Sequence, residues 1–295
     1  MIVAGCRGLP ELLKMHNNFL ERMLDLAVDG GRLSLRIMKD SRPTLKPDNS
    51  VLTKADTAIS RLARRSLHDL LKTHDHALID EEDKDSARYF DQAALEKIPY
   101  LWVIDPIDGT RGFSNRMPLY GVSIGLLKDL KPWLGVVYFP ALDELFYCDG
   151  RKSYFAVGAA SGKLKKTVIV PVDQRITPQS VFFGSDAFFK EFEWDFSLCQ
   201  IMLPSCAVID LCWPAVGRGC GSFFNANIWD FAGSWPIFRS AGLDLRSRKE
   251  GRILERVGVE FFEGQGSRTW RLREHYILSS RRNFDVIAGA VRRRF

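Results

Sequence analysis

No apolar run in this 295-residue chain reaches the ~18 residues a membrane-spanning helix needs, so no membrane span is expected. The first ten residues lack a basic stretch followed by an apolar core, so no secretory leader is expected either. Cysteine is sparse and scattered. The six thiols (Cys6, Cys148, Cys199, Cys206, Cys212, Cys220) include no Cys-x-x-Cys pair, which argues against a zinc site. Reduced thiols in a cytoplasmic protein are the simplest expectation. The chain also lacks internal repeats and low-complexity tracts. Histidine is rare, and His68, His74 and His76, near a helix end and a polar loop, read as solvent-facing side chains rather than a transition-metal site.

Charge is mixed. Lys and Arg number 42 against 36 Asp and Glu, a net +6. Such an excess suits nucleic acid, acidic lipid, or an anionic substrate drawn to one cleft. Here it is spread along the chain and dense only at Arg292-Arg293-Arg294. That reads as a solvated surface with a basic tail, and no nucleic-acid partner is expected. Seven Trp and 20 Phe are better placed in a core and a dimer interface than in base stacking.

The chain is long enough for two subdomains, each with a core. Residues 10–39 read as a long helix with a break near Gly30-Gly31, followed by a turn over 41–50. Residues 54–72 form an amphipathic helix with Ile59, Leu62, Ala63, Leu67, Leu70 and Leu71 on one face. Short strands are expected at 77–79 and 100–104, with β-rich segments at 120–127, 133–139 and 145–148. The first half therefore reads as helices on a largely antiparallel sheet. The two prolines in 171–178 mark a joint, giving subdomains 1–177 and 178–295. Beyond it, a strand at 181–183 and buried helices at 207–216 and 228–241 suggest alternating α/β.

The chemistry concentrates in Trp102-Val103-Ile104-Asp105-Pro106-Ile107-Asp108-Gly109-Thr110. A hydrophobic strand delivers two carboxylates to a turn made by Pro106 and Gly109. Buried like charges repel unless a cation compensates them. Hard oxygen ligands suit Mg²⁺, which completes its coordination with water and substrate phosphate. Gly109 lets backbone approach an anion closely, and a helix starting after Thr110 would aim free N–H groups at it.

The run Asp105-Pro-Ile-Asp-Gly-Thr110 resembles the signature of the inositol monophosphatase family. Three more pieces match in order: Thr53-Lys54-Ala55-Asp56, Glu81-Glu82, and Trp229-Asp230-Phe231-Ala232-Gly233. The resemblance implies an αβαβα sandwich (α+β), a homodimer, and a Mg²⁺-dependent phosphomonoesterase using two or three ions on a small phosphorylated metabolite. It implies that Glu81, Asp105 and the Ile107 carbonyl hold one metal, and that Asp105, Asp108 and Asp230 hold a second. Gly109 and Thr110 amides would receive the phosphate. Asp56 and the Thr110 hydroxyl, with Glu81 in the catalytic set, would orient or deprotonate the water that attacks phosphorus in line. Ser205-Cys206-Ala207 stands at the family's Gly-Thr-Ala loop, a substrate wall or a plain helix start.

Two positions depart from the family. Asp80 replaces a frequent Gly, adding charge near the metals or pointing to solvent. Phe223 stands where polyol-binding members carry a Glu. As a substrate contact it would offer an apolar face to a flat group and disfavour inositol monophosphate. If the loop is shifted by one or two residues, Phe223 enters the core and Asn225 or Asn227 supplies the polar contact. The substrate is open among inositol phosphate, 3′-phosphoadenosine 5′-phosphate, histidinol phosphate and fructose 1,6-bisphosphate. A non-catalytic, RNA-associated or regulatory protein on the same fold is the rival. Such a protein would be expected to have lost some of Glu81, Asp105, Asp108, Asp230, Asp56 and Thr110, and all six are present.

Overall fold

The computed structural model describes residues 9–39, 44–45, 51–185 and 188–294. The expected turn at 41–50 lies outside them apart from Thr44 and Leu45, as does Cys6. Helix α1 (Leu9–Met38), strands β1 (Thr44–Leu45) and β2 (Val51–Leu52), and helix α2 (Lys54–Ser66) come first. β3 (His76–Asp80), α3 (Gln92–Leu95), β4 (Tyr100–Asp108), α4 (Thr110–Ser114), β5 (Gly121–Lys128), β6 (Lys131–Phe139), β7 (Glu144–Cys148), β8 (Ser153–Val157) and β9 (Lys165–Val168) follow. These seven strands form one sheet in sequence order. Only β3 and β4 run parallel; the other pairs are antiparallel, as expected.

After 171–178 come β10 (Val181–Gly184), α5 (Phe188–Glu191), β11 (Phe192–Trp194), β12 (Gln200–Met202), α6 (Ala207–Ala215), β13 (Gly221–Phe224), α7 (Ile228–Ala232) and α8 (Trp235–Ser240). β14 (Leu243–Ser247), β15 (Tyr276–Ser280), α9 (Phe284–Ala290) and β16 (Val291–Arg293) complete the chain. The second sheet has the order β12-β10-β13-β15-β14. It is mixed rather than a simple α/β alternation: β12, β10 and β13 are parallel, β15 runs against them, and β14, antiparallel to β15, returns to their direction.

Strand parity builds the layers, because successive side chains point to opposite faces. On the large sheet Leu78, Trp102, Ile104, Val122 and Ile124 meet α1 and α2 residues such as Met23, Ala27 and Ile59. Ala77, Ile79, Val103, Val137 and Phe139 face the other way. They share a core with α6, α7, α8 and the near face of the second sheet. The far face of that sheet, Phe182, Phe223 and Ile277, is covered by Phe188, Phe192 and Ile287. The result is the expected α-β-α-β-α order.

Several local expectations are corrected. Helix α1 runs unbroken through Gly30-Gly31. The glycine is there for approach: a Cβ on Gly31 would lie 2.5 Å from the Tyr138 ring. Helix α2 stops at Ser66, and a 3₁₀ turn, Leu70–Lys72, replaces its expected last turn. Arg22 of α1 donates to the Ser66 carbonyl and pairs with Asp69 at 2.6 Å, securing that end. The helix expected over 228–241 is two helices, separated at Gly233-Ser234. The basic tail is a paired strand: β16 joins β11, Arg292 lies 3.7 Å from Asp195, and Arg294 lies 3.7 Å from Glu193. His76 is half-buried rather than solvent-facing; it stacks on Tyr100 and accepts the Trp102 indole N–H at 3.0 Å.

Candidate active site

Parallel pairing of β3 with β4 sets Asp80 beside Ile104, so Glu81 and Asp105 emerge at the same sheet end. The Glu81 N–H donates to the Ile104 carbonyl at 3.2 Å. The β4–β5 register shifts between Asp105 and Asp108, a bulge at Pro106, which has no N–H for the ladder. Gly109 then takes φ +83 and starts α4. The Thr110 hydroxyl donates to the Ile107 carbonyl at 2.8 Å, tying the turn together.

Asp230 arrives from the other half. It is the third residue of α7, and its Oδ2 accepts the Asn227 N–H at 2.7 Å. Ligand atoms of Asp105, Asp108 and Asp230 lie within 4.8 Å of one another. Asp108 Oδ1 and Oδ2 also accept the N–H groups of Ala207 and Val208 at 2.9 and 2.8 Å, capping α6.

Burial dominates the electrostatics. It holds the Asp105 carboxyl well above the usual carboxylate range, and the charges of Glu81, Asp108 and Asp230 push it further. Burial pushes Asp108 up to about 7, opposed by the Val208 and Ala207 N–H groups. Asp230 is raised by burial, then by Asp108 and Glu81. Oδ1 of Asp105 is buried with no hydrogen-bond partner among the described residues. An all-oxygen set of crowded carboxylates with an unsatisfied oxygen fits a hard divalent cation such as Mg²⁺. The fit rests on Asp105, Asp108 and Asp230, with Glu81 alongside.

A cleft of about 290 Å³ opens over this cluster, and Glu81, Gly109, Thr110, Ser205, Cys206, Ala207 and Asp230 all line it. Ser205 sits at φ +55, a left-handed conformation strained for a residue with a side chain, at a position where the similar family has Gly. Asp56 is not among the lining residues. It is fully buried in the capping box of α2, where Oδ2 accepts the Thr53 N–H at 2.7 Å and the Thr53 hydroxyl.

Phe223 does not reach the cleft. It is 1% exposed, stacks on His275 at 5.1 Å and meets Phe188 and Phe192 edge-on. Parity gives the cleft to its neighbour, Phe224. Phe223 therefore neither touches a substrate in the cleft nor disfavours inositol monophosphate. Asn225 does line the cleft, but its amide is engaged: it donates to the carbonyls of Leu272 and Glu274 and accepts from Arg271. Asp80 neither faces solvent nor adds a free charge. It is buried, accepts the Ser60 hydroxyl and the Glu82 N–H, and lies 3.8 Å from Arg64.

Sequence reasoning missed Asp210. It lines the cleft from the first turn of α6, its Oδ1 has no partner among the described residues, and burial raises its carboxyl well above the ordinary range. The available signal was a lone acid inside the apolar run 207–215.

The inositol monophosphatase family model matches residues 26–292. A fructose-1,6-bisphosphatase/inositol-1-monophosphatase of Aquifex aeolicus is 30% identical over 155 residues, 48% of this chain and 55% of that protein. Inositol monophosphatase 1 of Solanum lycopersicum is 29% identical over 83% of this chain and 88% of its own length. Among solved structures, the Thermotoga maritima IMPase superposes with a TM-score of 0.68 at 18% identity, covering 92% of this chain and 96% of that one.

Proposed function

The chain belongs to the inositol monophosphatase family, whose members are phosphatases, and from that premise we propose a Mg²⁺-dependent phosphomonoesterase acting on a small phosphorylated metabolite. One observation carries the reading: Asp105 and Asp108, from the end of β4, and Asp230, from α7, converge within 4.8 Å beneath a small open cleft. Without a cation this arrangement opposes itself; with one, the same carboxylates become ligands.

Bound Mg²⁺ supplies charge neutralisation at the phosphoryl oxygens and acidifies water, two ions being the usual set for in-line displacement. Glu81, Asp105, Asp108, Asp230 and the Ile107 carbonyl are the groups proposed to hold two or three ions. The N–H groups of Gly109 and Thr110 receive phosphate oxygens at the start of α4. Glu81 and the Thr110 hydroxyl, both on the cleft, would orient the attacking water, and the Glu81 carboxylate would take its proton. Ser205, Cys206 and Ala207 form the opposite wall. Asp56 acts through the α2 N-terminus that it caps.

The Aquifex aeolicus relative is named for two substrates and the tomato relative for one, so a sugar or polyol phosphate is the first class to test. Phosphate release with Mg²⁺ should be measured from inositol 1-phosphate, fructose 1,6-bisphosphate, histidinol phosphate and 3′-phosphoadenosine 5′-phosphate. Release from at least one, abolished by EDTA and restored by Mg²⁺, is expected. No release from any would overturn the reading. The same reading includes a homodimer, supported by the family, for which light scattering should give twice the 33.6 kDa chain mass.

A further inference from the structure

A second cavity, of about 390 Å³, adjoins the cleft and shares two lining residues with it, Ser185 and Asn225. Its chemistry is the reverse of the metal site. Six Arg and Lys side chains line it against three Glu. They come from three places distant in sequence: just after β14 (Arg248 and Lys249), the approach to β15 (Arg268, Arg271 and Arg273), and strand β16 (Arg293).

The key cations are held in place by neutral groups. The Arg248 guanidinium lies over the Phe192 ring at 5.1 Å and donates to the Val291 carbonyl at 3.0 Å, while its Nε is buried without a partner. Arg271 donates to the Asn225 side chain at 2.6 Å and its carbonyl at 3.3 Å. Arg273 donates from Nε to the Phe262 carbonyl at 2.6 Å. Among the described residues no carboxylate lies within ion-pair distance of Arg248, Arg271, Arg273 or Arg293. Several guanidinium groups thus line one cavity, held by neutral partners and without an ion pair among the described residues, and the six cations there outnumber the three Glu, an arrangement that an anion would relieve. Arginine's planar fork suits phosphate in particular.

Asn225 joins the two cavities mechanically. It faces the cleft, yet its side chain is tied to Arg271 and to the backbone of Leu272 and Glu274. A molecule passing Ser185 and Asn225 would occupy both spaces, and the cleft alone is small for a metabolite.

We propose that this cavity is the subsite for a second phosphate of the substrate. The substrate is then a small bisphosphorylated molecule whose scissile phosphate lies over Asp105, Asp108 and Asp230 and whose other phosphate is held by Arg248, Arg271, Arg273 and Arg293. The inference rests on the phosphomonoesterase reading.

Matched pairs test it: fructose 1-phosphate against fructose 1,6-bisphosphate, and adenosine 3′-phosphate against 3′-phosphoadenosine 5′-phosphate, all with saturating Mg²⁺. At least one bisphosphate should exceed its partner about tenfold or more in kcat/KM, mainly through KM. Arg293→Gln, on an exposed strand, and Arg248→Gln should each lower kcat/KM for that bisphosphate several-fold more than for its monophosphate. A second readout needs no turnover: inorganic phosphate titrated calorimetrically into metal-free protein, whose cleft is acidic, should bind to the wild type and more weakly to both variants. Equal turnover within each pair, or phosphate binding insensitive to both substitutions, overturns the subsite and leaves the phosphatase reading standing. Absence of turnover for every compound overturns that reading and the subsite with it.

Discussion

Asp108 accepts the backbone N–H of Val208 at 2.8 Å across 100 residues of sequence, so a candidate metal ligand is also the N-terminal cap of helix α6. Its other oxygen takes the Ala207 N–H at 2.9 Å. The helix dipole and two charge-assisted hydrogen bonds favour the ionised form where burial opposes it. The same bonds fix the wall of Ser205, Cys206 and Ala207 relative to the metal floor, so a shift of either would be felt by both.

Removing charge at the centre of the cluster should separate activity from stability. Asp105→Asn is expected to lower Mg²⁺-saturated kcat/KM by more than about a hundredfold, since losing even an outer partner of a ligand costs roughly 10–100-fold. The metal-free variant should melt higher than metal-free wild type, because an amide carries no buried charge. Phosphate-release kinetics and thermal melts in EDTA check both. Near-normal turnover would remove Asp105 from the site.

The raised carboxyls set the sign of a pH effect. Asp108 titrates from its ordinary 3.8 in the unfolded chain to about 7 in the fold, with Asp105 and Asp230 raised as well. A raised carboxyl carries no penalty below the unfolded value, where both states are protonated. As pH rises the unfolded state ionises first, so metal-free stability falls between about pH 4 and 7. Mg²⁺ compensates the charge, so the rise in Tm on adding it should grow from pH 5 to pH 7.5. A Mg²⁺-induced shift independent of pH would contradict this.

Phe223 should behave as core. Phe223→Ala is expected to cost about 3–5 kcal/mol of stability by opening a cavity beside Phe188, Phe192 and His275. Where the variant remains folded, KM should stay within about twofold of wild type. Urea unfolding and KM measured on the same preparation decide; a specific KM change with little loss of stability would return Phe223 to the substrate.

Close backbone approach positions Asp230. A Cβ on Gly125 of β5 would lie 2.6 Å from the Ala232 carbonyl carbon of α7, the helix that carries Asp230. Gly125→Ala should therefore destabilise the fold by about 1–3 kcal/mol and weaken Mg²⁺ binding, because α7 must move away from β4 and Asp105. Calorimetric Mg²⁺ titration with a thermal melt reads both. Unchanged affinity would show that α7 carries its ligand independently of that contact.

The sequence by itself determined what is local. The apolar strand ending in Asp105-Pro106-Ile107-Asp108-Gly109-Thr110 specifies its own turn, because a missing N–H, a permissive glycine and two short acids act within a few residues. The alternating apolar segments over 120–148 specify an antiparallel sheet for a similar reason. The ordered motifs carried the family, and with it the αβαβα layering.

Only the tertiary structure decided matters that depend on which face meets which. Phe223 and Phe224 are interchangeable as letters, and the pairing of β13 between β10 and β15 sends one to the far core and the other to the cleft. Asp210 became notable only once α6 was seen to be buried against the metal floor. Arg248, Arg271, Arg273 and Arg293 look like scattered surface charge until the ends of β14, β15 and β16 bring them round one cavity. Side-chain direction follows local periodicity, but the partner it finds is set by long-range pairing, which no short stretch of sequence encodes.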